Sequence, residues 1–137
     1  MGEAADVVRR IHERFNQRDE EGFVGLCSAR IVWSEIPEVP GSGIYRGPDG
    51  ARDWYRKTAD VSDDLTLAIW ELEEKGDAVL TETSAEMTGR GSEVPLGWRF
   101  WCVWRVKEGL VTSHQGYGVR EEALEDLEGG GPPPQSG

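Results

Sequence analysis

Trp98-Arg99-Phe100-Trp101-Cys102-Val103-Trp104 gathers three of the chain's six tryptophans into one short run. Counted in twos, Val94, Leu96, Trp98, Phe100, Cys102, Trp104 and Val106 are all apolar. The positions between them carry Pro95, Gly97, Arg99, Trp101, Val103 and Arg105. Alternation of this length predicts a long strand with one buried face. Large rings crowded on one face are hard to bury against a flat sheet, so the run also predicts strong curvature over a pocket.

Working outward, Gly89-Arg90-Gly91-Ser92 turns the chain before this strand and Lys107-Glu108-Gly109 turns it afterwards. Strands are predicted over Leu65 to Glu73, Ala78 to Thr88 and Leu110 to Val119, with a Gly76-Asp77 turn and a closing helical turn from Glu121 to Glu128. Towards the N-terminus, Ala4, Val7, Val8, Ile11 and Phe15 follow helical spacing, ending near Asn16-Gln17-Arg18. Asp19 suits the N-cap of a short second helix carrying Phe23, Val24, Leu26 and Cys27. Ile31-Val32-Trp33 begins a strand stopped by Pro37 and Pro40, and Pro37 to Gly47 reads as a loop. Gly47-Pro48 then opens a third helix, with Ala51, Trp54, Tyr55 and Thr58 on one stripe. The expected fold is α+β: three N-terminal helices packed in a strongly curved antiparallel sheet that forms a conical cavity. Residues 1–128 make a single domain, and 129–137 (GGGPPPQSG) read as a disordered Gly/Pro-rich tail.

Composition narrows the function. A net charge of -11 disfavours a nucleic-acid partner, which would need a basic face. No run approaches the roughly 20 apolar residues of a membrane span. The charged start (Glu3, Asp6, Arg9, Arg10) reads as lacking a secretory signal, and a cytoplasmic location is expected. Cys27 and Cys102 are too few for a disulfide framework, and the two histidines show no metal-ligand spacing. Gly89, Gly91 and Gly97 match no nucleotide fingerprint. No cofactor and no metal are expected.

Five stretches carry a resemblance. They are Phe15-Asn16-Gln17-Arg18-Asp19, Ile31-Val32-Trp33-Ser34-Glu35, Tyr45-Arg46-Gly47-Pro48-Asp49-Gly50, Val103-Trp104-Arg105-Val106-Lys107-Glu108-Gly109 and Tyr117-Gly118-Val119-Arg120-Glu121-Glu122-Ala123-Leu124-Glu125. In this order, within helix–helix–strand–loop–helix–four strands, the chain resembles the SnoaL-like proteins of the nuclear transport factor 2-like superfamily. The resemblance implies an α+β cone around a cavity. It does not imply one activity, because the fold hosts cyclases, isomerases, hydrolases, transport factors and non-catalytic binders. Val119 stands where the cyclases of this family carry an acid, Ile11 where a ketosteroid isomerase carries its tyrosine, and Cys102 where it carries a protonated aspartate. Neither mechanism transfers directly.

Two residues suggest acid/base chemistry. His114 lies among Thr112, Gly116 and Gly118, on the parity that faces the cavity in related isomerases, with room for a ligand beside it. Glu35, next to Trp33 and Ile36, would have its pKa raised by desolvation, as suits a base. Trp33, Tyr45, Trp54, Tyr55, Trp98, Phe100, Cys102 and Trp104 are the expected ligand-binding lining, Cys102 as a small hydrophobe. Glu82 and Glu86 read as cross-strand ion-pair residues, and His12 as a surface position on the first helix. Arg99, Trp101 and Arg105, on the outer parity, are expected to meet a second subunit in a homodimer. Three readings follow. The favoured one is a pocket for a small, largely apolar molecule that need not be turned over. The others are a cofactor-free acid/base enzyme using His114 and Glu35, and a dimerising assembly domain.

Overall fold

The computed structural model describes residues 2–36, 43–88 and 95–129. The chain runs α1 (Glu3–Asn16), α2 (Glu20–Gly25), β1 (Cys27–Ser34), β2 (Ile44–Arg46), α3 (Gly47–Ala59), β3 (Thr66–Lys75), β4 (Ala78–Thr88), β5 (Pro95–Lys107), β6 (Leu110–Tyr117) and α4 (Arg120–Gly129). The loop expected over 37–42, the turn over 89–92, the strand start at Val94 and the tail beyond Gly129 lie outside the described residues.

Helix α1 buries the stripe Ala4, Val7, Val8, Ile11 and Phe15, as its spacing requires, and His12 with it. The residues after Phe15 fasten it. The Asn16 side chain donates to the Leu67 carbonyl at 2.9 Å and accepts from the Leu67 N–H at 2.8 Å, imitating a strand partner along β3. Arg18, at φ 57, turns its guanidinium back to donate to the carbonyls of Phe15, Ser62, Asp63 and Leu65. Asp19 caps α2 by accepting from the Gly22 N–H at 2.9 Å. Glu20 and Glu21 then pair with Arg52 and Arg56, tying α2 to α3.

The six strands lie in the order β2-β1-β6-β5-β4-β3. This architecture corrects the expected one in three respects. The sheet is mixed rather than antiparallel, because β1 pairs parallel with β6. Those strands are distant in sequence, so no hairpin forces them to oppose each other. The sheet is open, with β2 and β3 as its edges, and is neither closed nor strongly curled into a cone. The aromatic run does not need such curvature, since its rings spread along a 13-residue strand. Trp104 is 3% exposed under the helices, whereas Trp98 is 47% exposed beyond their reach. Finally, only α1 and α2 precede the first strand, and α3 follows β2; the closing helical turn expected over Glu121 to Glu128 is α4. Two local boundaries also differ. Cys27 begins β1 instead of ending a helix, and Ile44–Arg46, expected as loop, pairs with β1.

Helices α1, α2 and α3 cover one face of the sheet over a core that includes Phe15, Phe23, Trp33, Trp54 and Trp104. Helix α4 covers part of the other face, packing Ala123 and Leu127 on Ala78, Leu80, Val103 and Tyr117. Both faces of β5 are therefore buried along its second half.

Candidate functional site

A cavity of about 320 Å³ lies between the helices and the inner face of the sheet. That is the lower end of the range of roughly 300–1,000 Å³ usual for small-molecule sites. Its rings come from five elements: Phe23 of α2, Trp33 of β1, Tyr45 of β2, Trp54 of α3, and Trp98, Phe100 and Trp104 of β5. The deep rings hold one another in place. Trp54 stacks on Phe23 at 5.7 Å and meets Trp33 at 4.4 Å, while Trp33 stands edge-on to Trp104 at 5.4 Å. Such offset and edge contacts add about 0.5–1.5 kcal/mol each beyond burial. The pocket is aromatic-lined and fits a small hydrophobic molecule.

Two imidazoles and one carboxyl share this cavity with the Tyr45 phenol, the Cys102 thiol and Lys57. His114 of β6 stacks on Trp33 at 4.1 Å and stands edge-on to Trp104 at 4.5 Å. Its Nδ1 is buried without a hydrogen-bond partner among the described residues. Burial, followed by the neighbouring His12, brings its pKa down to about 3. His12 of α1 is 5% exposed and tilts against Trp104 at 5.2 Å. Its Nδ1 donates to the Val8 carbonyl at 2.7 Å, and burial brings its pKa down to about 4. Both rings are therefore neutral at pH 7. Glu35 accepts from the Trp33 indole at 3.2 Å. Its burial pushes the carboxyl above the usual range, against the pull of the Trp33 and Trp54 indoles.

The structure brings Glu35, His114, Trp33, Tyr45, Trp54, Trp98, Phe100, Cys102 and Trp104 to one cavity. Tyr55 does not line it. Its ring lies behind the wall, 5.4 Å from Phe15 and 5.2 Å from Phe23. The Cys102 thiol sits well above its ordinary pKa, through burial and then the charge of Glu35, which suits a wall residue and not a nucleophile. The small residues near His114 have another use: a Cβ at Gly116 would lie 3.0 Å from Ile36 Cγ1 and 3.2 Å from its backbone nitrogen. The missing side chain lets the Glu35-Ile36 segment pack closely against β6.

Sequence reasoning placed His12 at the surface, whereas the structure buries it. It lies four residues after Val8 and three before Phe15, on the flank of the apolar stripe. Ile11, Thr83, Leu65 and Leu67 also join the lining. On the opposite face, Arg99 pairs with Glu82 at 2.9 Å and lies over the Trp70 ring at 4.0 Å. Arg105 turns to Asp126 of α4 at 2.7 Å. Among the described residues no cluster of His, Cys, Asp and Glu is placed to hold a metal ion. No helix among the described residues is long and apolar enough to cross a membrane.

The sequence profile of the SnoaL-like domain matches residues 8–114. No relative was found among curated proteins. Among solved structures, TerC co-crystallised with polyporic acid is similar at a TM-score of 0.73 and 19% identity, covering 93% of this chain and 99% of that one. RV0760c from Mycobacterium tuberculosis, in complex with estradiol-17beta-hemisuccinate, is similar at 0.71 and 18%, covering 88% and 97%. A protein of ketosteroid isomerase-like fold from Catenulispora acidiphila, in complex with trimethylamine, is similar at 0.70 and 16%, covering 81% and 83%. Likenesses at such identities establish the fold and leave the activity to the site itself.

Proposed function

The chain belongs to the SnoaL-like domain family, and from that premise we propose that it binds a small, largely apolar, ring-shaped molecule in the aromatic cavity. The observation that carries this reading is a cavity of about 320 Å³ kept open among rings that already pack against one another. The small molecules bound by the similar structures support it as a use of this fold. Trp33, Tyr45, Trp54, Trp98, Phe100, Cys102 and Trp104 would contact the ligand. Ala85, at 3% exposure on the wall, supplies the test. Ala85→Phe should fill the space with no large loss of stability and abolish binding of naphthalene-sized probes in calorimetric titration. In a core already packed solid it would cost about 1–3 kcal/mol instead, and that result would refute the reading.

A second reading, acid/base chemistry, is supported by the raised carboxyl of Glu35 facing the same space as two neutral imidazoles. Glu35 would take a proton from carbon beside a carbonyl, with His114 as its partner. Deuterium exchange of 2-tetralone, followed by NMR, should then exceed the buffer rate and fall to it in Glu35→Gln. Exchange at the buffer rate with wild-type protein would leave binding alone.

The outer sheet face supports a homodimer as the assembly. Trp70 is 52% exposed under Arg99, and Trp101 Nε1 is buried without a partner among the described residues. In this reading Arg99 and Trp101 meet the second subunit, while Arg105 is engaged by α4 within its own chain. Trp101→Glu should halve the mass seen by light scattering; an unchanged mass would rule this face out.

A further inference from the structure

The polar atoms on the cavity floor are unequal in kind. The indole N–H of Trp33 donates to Glu35 and that of Trp104 to Thr81 Oγ1, at 2.9 Å. Thr83 directs its hydroxyl to the same Thr81 oxygen at 3.1 Å. His12 donates from Nδ1 to Val8, which in a neutral ring leaves Nε2 as a lone-pair acceptor. His114 has its Nδ1 sealed off and its ring face against Trp33. The Trp33, Trp104 and Thr83 donors are thus committed within the protein, and acceptor capacity remains for an occupant at His12 Nε2 and the Thr83 oxygen. The cationic Lys57 stands at the mouth, 62% exposed and paired with Asp53 at 3.2 Å.

We propose that His12 is a specificity-determining residue, and that through its fixed Nε2 acceptor the pocket selects neutral aromatic molecules bearing a hydroxyl or N–H donor. The selection rests on the binding reading above. A ligand presenting only an acceptor meets lone pairs and leaves its own polar atom unsatisfied in an apolar site, which costs about 1–3 kcal/mol. A phenol-type hydroxyl reaches an acceptor whose orientation α1 has already set. Neutral ligands are favoured over cations because an organic cation would lose its hydration on entering a largely aromatic cavity.

Three probes of one shape separate the outcomes: 2-naphthol, 2-methoxynaphthalene and naphthalene, titrated calorimetrically against the whole chain at pH 7. The naphthol should bind about tenfold more tightly than the methoxy ether. His12→Leu should erase that preference, and His12→Gln, which keeps an acceptor, should restore part of it. Because each probe's own hydration is the same against every variant, it cancels when the preference is compared between variants. Should His12→Leu fail to fold by circular dichroism, His12→Phe, which keeps a ring and removes the acceptor, carries the decision. Equal binding of naphthol and ether, or a preference that survives in His12→Leu, overturns the proposal while the pocket reading stands. No binding of any probe overturns both.

Discussion

On the outer face of β5, Arg105 donates to the carboxylate of Asp126 at 2.7 Å and to its carbonyl at 2.9 Å, and Tyr117 donates its hydroxyl to the same carboxylate at 2.6 Å. On the inner face of the same strand, Trp104 touches two buried imidazoles, one of which has an unpartnered nitrogen. Both clusters are polar and buried, and they follow opposite rules. The outer one is charged and internally satisfied, so it latches α4 to the sheet. The inner one is neutral, incompletely satisfied and next to open space. Burial without partners lowers stability, and on the inner face that cost is carried beside the cavity.

Acid should separate the two clusters most strongly. His12 and His114 titrate near 6.5 in the unfolded chain and near about 4 and about 3 in the fold. Below 6.5 the unfolded chain takes up protons that the fold refuses, so stability is full above 6.5 and falls as pH drops towards the folded values. By pH 4.5 the loss should reach about 2–3 kcal/mol for each histidine. Glu35, held above its ordinary value of 4.5, works in the other direction and blunts the slope. Urea denaturation between pH 7 and 4.5 should show the decline, flattened in the double variant His12→Leu/His114→Phe and steepened in Glu35→Gln.

Breaking the outer latch should come next. Asp126→Ala leaves Arg105 and Tyr117 without their shared acceptor and should destabilise by about 3 kcal/mol at neutral pH. Naphthalene binding in the surviving folded fraction should not change. A loss of affinity matching the loss of stability would show the two faces to be one cooperative site.

His114→Phe sharpens the contrast from the inner side. An apolar ring replaces one whose Nδ1 has no partner, so stability should hold or rise by about 1 kcal/mol. A penalty as large as that of Asp126→Ala would mean that His114 is held by partners like those outside. The smallest effect belongs to Arg99→Ala. Its pair with Glu82 is half exposed on the arginine side and should contribute less than about 1 kcal/mol in thermal melts.

Much of the site was legible because β5 obeys a strict period of two. Once Trp98 begins the alternation, Phe100, Cys102 and Trp104 must share its face, and Arg99, Trp101 and Arg105 the other. Glu35 was legible as a carboxylate beside Trp33, with the raised pKa that its neighbours imply. Tyr55 was not, because the helical stripe places it beside Trp54 without saying which of the two reaches the cavity. The contact of Trp54 with Trp33 of the cavity wall, at 4.4 Å, decides that. His12 was missed for a related reason: a polar residue on the flank of an apolar stripe points to core or to solvent according to what lies across from it, here Trp104.

The sequence by itself determined the local elements, the family, the two faces of β5 and an aromatic interior, since these follow from spacing and side-chain chemistry along a few consecutive residues. Only the tertiary structure decided that β1 runs parallel to β6, that the sheet stays open, and that α4 takes Arg105 for the fold's own use. It also decided that two histidines from α1 and β6 meet around Trp104. Those outcomes join residues remote in the chain, and no local pattern encodes which remote partner fills the space opposite a side chain.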